Sequence, residues 1–212
     1  MIYDFKTLTR ESFDKIQIAG NRGPMFEVCM KEVLPKGHLM EFGVYVGHSI
    51  NYLANLVPAR TFHGFDSFQG LPEEWVRDKD QKNGGTHRKG HFALRDLPKV
   101  RDNVSLYKGW FSDTLPAWLQ ENPGEVAFIH NDADLYSSTI YTLKTLDPRI
   151  VPGTILLFDE LISWNEASQG RGYPNWSAHE WKALLEWMET CNRKISLIAR
   201  TRFEQAAVRV EA

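Results

Sequence analysis

Short apolar runs alternate with amphipathic segments along the middle of the chain. The run at 125–130 is apolar without interruption, which is typical of a central strand covered on both faces. The same patterning predicts further strands at 38–42, 61–65, 104–107 and 154–158, and helices at 49–57, 112–120, 137–146 and 177–191. Strands that alternate with helices in this way predict the α/β class, with a doubly wound and mostly parallel sheet.

Both ends of the chain depart from this alternation. Two apolar runs, 195–199 and 205–210, lie close enough together to form a C-terminal antiparallel hairpin. Residues 11–34 are helical in period with a break at 21–24, so segment 1–37 is expected to form an N-terminal helical cap. The cap is a candidate for covering the active site or for forming a homodimer, and the pattern leaves both alternatives open.

Two polar stretches interrupt the alternation, at 67–100 and at 161–176. A loop longer than about 12–15 residues inside a compact domain is usually a lid or a substrate loop, and we expect both stretches to be of this kind. One short helix is expected in the first of them, at 92–100. The 212 residues as a whole are expected to form a single domain.

The stretch that follows the first predicted strand indicates a cofactor site. Gly43 and Gly47 would let the backbone turn tightly and approach a ligand closely, and Ser49 occupies the expected N-cap of the next helix. The spacing is not the GxGxxG of dinucleotide sites, and Glu41 before the turn would repel a pyrophosphate. A ligand with an ammonium and a sulfonium group fits better, which favours S-adenosylmethionine over NAD.

Polar side chains also end the other predicted strands, where ligands of such sheets bind. Asp66 lies roughly 20 residues past the glycine turn, where an acid usually accepts the ribose hydroxyls of an adenosine cofactor. Trp110 is a candidate for the adenine face. Asp132, Asp159 and Glu160 end two neighbouring strands, and clustered carboxylates raise one another's pKa. We therefore expect this trio to share a divalent cation, Mg²⁺ by preference.

A transfer to a hydroxyl group also needs an acceptor for the hydroxyl proton. Asp132 would act together with a histidine in this step. The histidine candidates are His130 and His179, followed by His87 and His91. Asp134 shares the short run after the 125–130 strand and is expected to cap the helix that follows.

An aromatic set lies in the second polar stretch and the helix after it: Trp164, Tyr173, Trp176 and Trp181. Flat aromatic side chains pack well on the apolar face of a sugar, which would suit a glycoside acceptor. Trp181 also belongs to a helical 3–4 repeat of apolar residues, which is typical of a buried helix face. The sequence leaves both interpretations open.

The overall composition narrows the class of partner. The net charge is −2, whereas a nucleic-acid-binding protein normally carries a basic surplus, so no nucleic-acid partner is expected. No apolar run approaches the roughly 18 residues that a membrane span needs, so no membrane partner is expected. Cys29 and Cys191 have no metal-like spacing and are expected to be reduced thiols, which favours a cytoplasmic protein.

Five motifs occur in the order and spacing of the macrocin O-methyltransferase-like family: EFGVYVGHS, GFDSFQGLPEEW, KGWFSDTLP, HNDADLYSST and PGTILLFDE. The chain resembles this family over about residues 38–160. Its members are class I, S-adenosylmethionine-dependent enzymes with a Rossmann-like sheet, and several methylate sugar hydroxyls of natural products. The resemblance implies cofactor contacts at Glu41, Gly43, Gly47, Ser49, Asp66 and Trp110, and the predicted cofactor-binding set also includes Val44, Ser67 and Asp132. It also implies Asp132 and Asp159 as Mg²⁺ ligands, whereas Glu160 stands where the family usually has an aspartate.

Together these observations predict an S-adenosylmethionine-dependent, Mg²⁺-assisted O-methyltransferase. Its acceptor would be a hydroxyl of a small molecule, either a sugar or a glycosylated natural product. Two alternatives from other classes remain. A nicotinamide-dependent oxidoreductase would share the fold but should carry GxGxxG, and a non-catalytic adenosine-cofactor-binding protein would not need the carboxylate trio.

Overall fold

The computed structural model describes residues 1–78, 85–163 and 173–212. In chain order its strands are β1 (Ile2–Tyr3), β2 (Gln17–Ile18), β3 (His38–Phe42), β4 (Phe62–Asp66), β5 (Trp75–Val76), β6 (Thr86–His87), β7 (Val104–Lys108), β8 (Val126–Asn131), β9 (Ile150–Phe158), β10 (Lys194–Arg200) and β11 (Ala206–Glu211). Its α-helices are α1 (Arg22–Glu32), α2 (His48–Leu56), α3 (Phe111–Glu121), α4 (Tyr136–Leu146) and α5 (Glu180–Thr190). Short 3₁₀ helices occur at Arg10–Lys15, Asp147–Arg149 and Trp176–Ala178.

One mixed sheet organises the molecule, in the order β1-β10-β11-β9-β8-β3-β4-β7, with β2 paired to β10. The strands β9, β8, β3, β4 and β7 are mutually parallel, and β10 and β11 form an antiparallel hairpin beside β9. The chain winds outward from β3 in both directions, so β3 and β8 meet at a topological switch point. The predicted doubly wound, mostly parallel sheet with a C-terminal hairpin is confirmed.

The core explains why the apolar runs form these strands. Every residue of β8 is buried, because helices cover both faces of the sheet at its centre. Trp181 on α5 is 8% exposed and packs in the core with Leu184 and Met188. Trp181 is therefore a core residue, as the helical repeat predicted, and Trp176 packs against its ring.

Three local predictions differ from the structure. The helix expected at 92–100 is absent, since Phe92 has a φ of +70°, which a right-handed helix does not allow, and the segment runs as bends. Gly47, with a φ of +81°, is the N-cap of α2, so Ser49 lies inside the helix instead of capping it. The N-terminal segment contains α1 as expected, but β1 and β2 add to the edge of the sheet as strands.

Two further findings concern the chain as a whole. Among the described residues, no helix combines the length and apolar character needed to cross a membrane. Cys29 is buried and Cys191 is half-buried, and both carry free thiols. Burial raises the pKa of the Cys29 thiol, which makes it a poor nucleophile.

Candidate functional site

A cavity of about 670 Å³ opens at the carboxyl ends of the parallel strands. Its volume lies within the range of roughly 300–1,000 Å³ that is typical of small-molecule sites. Gly43, Asp66, Trp110, Asp132 and Glu160 line it, and each lies at or just beyond the end of one strand. The structure therefore brings together residues that the sequence selected from five separate strand ends.

The glycine turn after β3 shapes one wall of the cavity. Gly43 has a φ of +89°, and a Cβ placed on it would lie 1.7 Å from the backbone oxygen of Asp132. The amide of Asp132 in turn donates to the carbonyl of Phe42 at 2.9 Å. Only glycine allows the turn after β3 to lie directly against the turn after β8, and this contact sets the position of Asp132.

Asp66 holds the glycine turn through its carboxylate. Its Oδ2 accepts hydrogen bonds from the amides of Val44 and Tyr45, both at 2.8 Å, and its Oδ1 accepts one from Phe68 at 2.6 Å. Val44 is buried behind the cavity wall, whereas Asp66 and its neighbour Ser67 line the cavity. The sequence predicted a ribose contact for Asp66, and the structure adds a role in shaping the turn that the sequence did not indicate.

A hydrogen-bonded chain of four side chains lies beneath the cavity. The Ser49 hydroxyl donates to Glu41 Oε1 at 2.9 Å, and His130 Nδ1 donates to Glu41 Oε2 at 2.9 Å. His130 Nε2 lies 3.2 Å from Asp159 Oδ1. We call these residues, Ser49, Glu41, His130 and Asp159, the buried chain. Although burial lowers the pKa of His130, its hydrogen bonds to Asp159 and Glu41 raise it to about 10, so the ring carries a positive charge.

This arrangement bears on the predicted roles of three of the candidate residues and of His130. His130 is fully buried with both nitrogens engaged, so it has no free nitrogen with which to accept a proton from a substrate. Glu41, Gly47 and Ser49 do not belong to the described cavity lining, and their contact with a cofactor stays a prediction.

The carboxylate of Asp159 accepts hydrogen bonds from side chains in distant parts of the chain. Besides His130, its carboxylate accepts hydrogen bonds from the guanidinium of Arg22 and from the side-chain amide of Gln205. Burial raises the pKa of Asp159, but the hydrogen bond from His130 and the charge of Arg22 outweigh it and lower the pKa to about 2. Arg22, the first residue of α1, also approaches Asp132 Oδ2 to 3.6 Å and lines the cavity. The sequence did not indicate Arg22 or Gln205.

A second set of carboxylates faces the cavity without such partners. Asp134 is 8% exposed, has a φ of +61°, lines the cavity and has no hydrogen-bond partner among the described residues. It does not cap α4, whose N-cap is Leu135. Glu160 donates its amide to Glu180 Oε2 at 2.9 Å, while its own Oε2 is buried without a partner in the described chain. Glu180 is fully buried and was not predicted as a site residue.

The predicted trio of metal ligands divides between two groups. Within the described residues, candidate ligand atoms lie within 4.8 Å of one another in the group His130, Asp132 and Asp159 and in the group Asp132, Asp134 and Glu160. Asp132 is common to both, but Asp159 and Glu160 fall in different groups. The second group offers only oxygen atoms, one of them the buried Glu160 Oε2 that has no partner in the described chain, and oxygen ligands of this kind suit Mg²⁺. The residues present therefore fit a divalent cation.

The histidines differ sharply in their access to the cavity. His179 Nε2 lies 3.4 Å from the carbonyl of Val76, and His179 is absent from the described lining, so its catalytic role stays a prediction that the cavity lining does not support. His87 on β6 does line the cavity. His91 stacks on His87 with ring centroids 4.2 Å apart but faces solvent.

The aromatic lining also differs from expectation. Tyr173 is fully buried, and its hydroxyl accepts a hydrogen bond from Trp75 Nε1 at 2.8 Å. Neither Tyr173 nor Trp176 belongs to the described lining, and Trp164 lies outside the described residues. Phe92 and Trp75, which belong to the first polar stretch, line the cavity instead.

The switch point, the glycine turn and the acid at the end of β4 define the Rossmann-like fold of class I methyltransferases. The family described as "Macrocin-O-methyltransferase (TylF)" matches residues 16–173, and the chain belongs to this family.

Two curated relatives are similar to the chain. An 8-demethyl-8-(2,3-dimethoxy-alpha-L-rhamnosyl)-tetracenomycin-C 4'-O-methyltransferase from Streptomyces olivaceus is 31% identical, over 63% of this chain and 58% of the relative. Demethyldecarbamoylnovobiocin O-methyltransferase from Streptomyces niveus is 30% identical, over 62% of this chain and 56% of the relative. The chain thus spans less than two thirds of the length of either relative. The crystal structure of CalS11, a calicheamicin methyltransferase, superposes with a TM-score of 0.66 at 26% identity, over 88% of this chain and 77% of that one.

Proposed function

We propose that the protein is an S-adenosylmethionine-dependent, cation-assisted O-methyltransferase that acts on a hydroxyl of a sugar or a glycosylated natural product. One observation carries the proposal: a single cavity is lined both by the glycine turn at Gly43 and by Asp132, Asp134 and Glu160, whose carboxylate oxygens lie within 4.8 Å of one another. Membership of the family supports it, and so do the names of the two relatives, which are O-methyltransferases of a rhamnosyl-tetracenomycin and of demethyldecarbamoylnovobiocin. A cytoplasmic location and a homodimer remain predictions.

The cofactor would lie against the part of the lining that Gly43, Asp66, Ser67 and Trp110 form. Asp66 fixes the backbone of the turn, and Trp110 offers a flat face for the adenine. The cluster of acceptor oxygens nearby, with Asp132 at its centre, suits a sulfonium better than a pyrophosphate.

The carboxylates Asp132, Asp159 and Glu160 are the cation ligands that the sequence predicts, and the lining adds Asp134 as a fourth candidate. A divalent cation bound there would supply positive charge that lowers the pKa of the acceptor hydroxyl. The protein itself must meet the other requirements of methyl transfer. It must align the methyl donor with the acceptor hydroxyl, exclude water and take up the hydroxyl proton.

His87 is the described histidine best placed to take up that proton. It lines the cavity, and burial, together with the charges of His91 and Arg77, lowers its pKa below the ordinary 6.5. The ring is therefore mostly neutral at pH 7 and has a lone pair with which to accept a proton.

His87→Gln is expected to lower kcat by about 100-fold, because a positioned proton acceptor typically contributes 10²- to 10⁴-fold. His91→Gln is the matched control, because His91 stacks on His87 but faces solvent, and it should keep most of the turnover. Steady-state kinetics of both variants decides the role. Equal losses in the two variants, or wild-type kcat in His87→Gln, would show that His87 is not the acceptor.

The proposed function is tested with methyl-labelled S-adenosylmethionine and a panel of free sugars and glycosylated natural products. Label should appear in at least one glycoside, and a chelator should abolish the transfer until Mg²⁺ is restored. Calorimetry with S-adenosylhomocysteine and with NAD separates the two alternatives. Binding of NAD alone would indicate an oxidoreductase, and binding of S-adenosylhomocysteine with no transfer to any acceptor would favour a non-catalytic protein.

A further inference from the structure

One wall of the cavity is a continuous row of side chains. The members of the row all line the cavity, and they are Phe92, His87, Trp75, Arg77 and Glu204. The ring centroids of Phe92 and His87 lie 5.5 Å apart, and the Trp75 ring follows at 5.3 Å from His87. Arg77 Cζ then lies 4.8 Å from the centre of the Trp75 ring, and Glu204 forms an ion pair with Arg77. The row therefore begins with an aromatic ring, passes the proposed proton acceptor His87 and ends with two charged groups.

The ion pair at the end of this row has hydrogen-bonding capacity left for a ligand. Arg77 Nη2 donates to both carboxylate oxygens of Glu204, each at 3.1 Å, and both side chains are 20% exposed. Among the described residues, no other side chain donates to the Glu204 carboxylate, which has about four acceptor sites when it is ionised. The guanidinium has about five N–H donors, and its contacts with Glu204 use one nitrogen. A ligand in the cavity can therefore hydrogen-bond to both partners while the ion pair stays intact.

Both partners of the ion pair are also held in fixed positions. The Arg77 guanidinium lies 4.9 Å from the centre of the Tyr173 ring as well, and the Arg77 carbonyl accepts a hydrogen bond from the amide of Asn175 at 3.0 Å. Glu204 lies in the connection between β10 and β11, where its carbonyl accepts a hydrogen bond from the amide of Ile162 at 3.2 Å. Because a ligand does not have to order these side chains, the pair is preorganised for binding.

The combination of charges indicates the chemical class of the ligand. An arginine alone would favour an anionic group such as a phosphate or a carboxylate. Glu204 neutralises Arg77 and would repel such an anion. Arginine only donates hydrogen bonds and an ionised glutamate only accepts them, whereas a hydroxyl does both. Two neighbouring hydroxyls can thus bind the pair together, one by donating to Glu204 and the other by accepting from Arg77, and sugars carry such hydroxyl pairs.

We propose that Arg77 and Glu204 are specificity-determining residues that bind two neighbouring hydroxyls of the acceptor sugar. The inference deepens the proposed function and rests on it for the sugar as the acceptor. Trp75 separates the ion pair from His87, so a sugar ring held at the pair extends past Trp75 and directs a different hydroxyl towards His87. The position of the hydroxyl pair on the sugar ring then selects the hydroxyl that is methylated.

The first test combines Glu204→Gln with acceptors that each lack one hydroxyl. The probe is the glycoside that takes up most label in the labelled-methyl assay. With this glycoside, Glu204→Gln should lower kcat/KM by about tenfold or more, mainly through KM, because a charge-assisted hydrogen bond to the acceptor is lost. With the analogue that lacks the hydroxyl bound by Glu204, the variant and the wild type should have equal kcat/KM. The glutamine amide oxygen can still accept from Arg77, so the two segments stay joined.

Glu189→Gln is the matched control, because it makes the same change at an exposed residue outside the described cavity lining. It should match the wild type with every acceptor. If Glu204→Gln instead lowered kcat/KM by the same factor with the intact glycoside and with all of its analogues, the ion pair would only join two segments, and the inference would be overturned.

Binding without turnover supplies a second readout. Saturation-transfer NMR follows the same panel of free sugars and glycosylated natural products in the presence of S-adenosylhomocysteine. At least one glycoside should bind to the wild type, and Glu204→Gln should bind it about tenfold more weakly while its affinity for S-adenosylhomocysteine stays the same. Equal affinity in the variant, or a wild type that binds no member of the panel, would overturn the inference. Glycosides that bind through Glu204 but take up no label would support the inference and refute the proposed function alone.

Discussion

Asp132→Asn is expected to reduce methyl transfer by two to three orders of magnitude, roughly the effect of removing one preorganised electrostatic group from an active site. Asp132 is the carboxylate common to both groups of candidate ligands, and it lines the cavity beside Gly43. The substitution keeps the shape of the side chain but removes the charge that both a cation and a sulfonium would meet. Single-turnover transfer of a labelled methyl group measures the loss.

The same variant should still bind S-adenosylhomocysteine, which lacks the sulfonium charge, with nearly unchanged affinity by calorimetry. Asp102→Asn serves as the matched control, because it makes the same chemical change at an exposed position. If Asp132→Asn turned over at the wild-type rate, the rim carboxylates would have no part in the reaction.

His130→Phe is expected to lower the free energy of unfolding by about 3–5 kcal/mol, the usual cost of removing one partner from a buried ion pair. Phenylalanine fills much of the space of the ring but leaves Glu41 and Asp159 buried without the charge between them. Urea denaturation at pH 7 measures the change. His48→Phe, at an exposed histidine, should change stability little, and equal stability of wild type and His130→Phe would contradict the charged state assigned to this ring.

The apolar runs predicted the parallel strands well because a strand buried on both faces must be apolar throughout. The run at 125–130 corresponds closely to β8, and the same rule predicted the neighbouring parallel strands. The two-residue strands β1 and β2 could not be found in this way, because two residues carry no periodicity. The helix predicted at 92–100 failed because the left-handed backbone of Phe92 has no signature in the residue type.

The sequence indicated which strand ends carry the candidate residues, but it could not show which of their side chains face the cavity. In the parallel ladder Glu41 is the direct partner of His130, so both side chains stand on the same face inside the sheet instead of at its rim. The sequence pattern identified Glu41 and His130 as polar residues near strand ends. It could not show that their side chains lie inside the protein. Arg22 and Gln205 reach Asp159 from 137 and 46 residues away in sequence, so only the folded chain reveals them.

The central claim is that this cavity holds a methyl donor with its sulfur directed at the rim carboxylates. A crystal structure of the protein with S-adenosylhomocysteine and Mn²⁺ tests it most directly. We predict ligand density along the glycine turn, with the adenine near Trp110 and the sulfur facing Asp132, and an anomalous Mn²⁺ peak among the carboxylates. Ligand density outside the cavity, or a sulfur turned away from Asp132, would contradict the account.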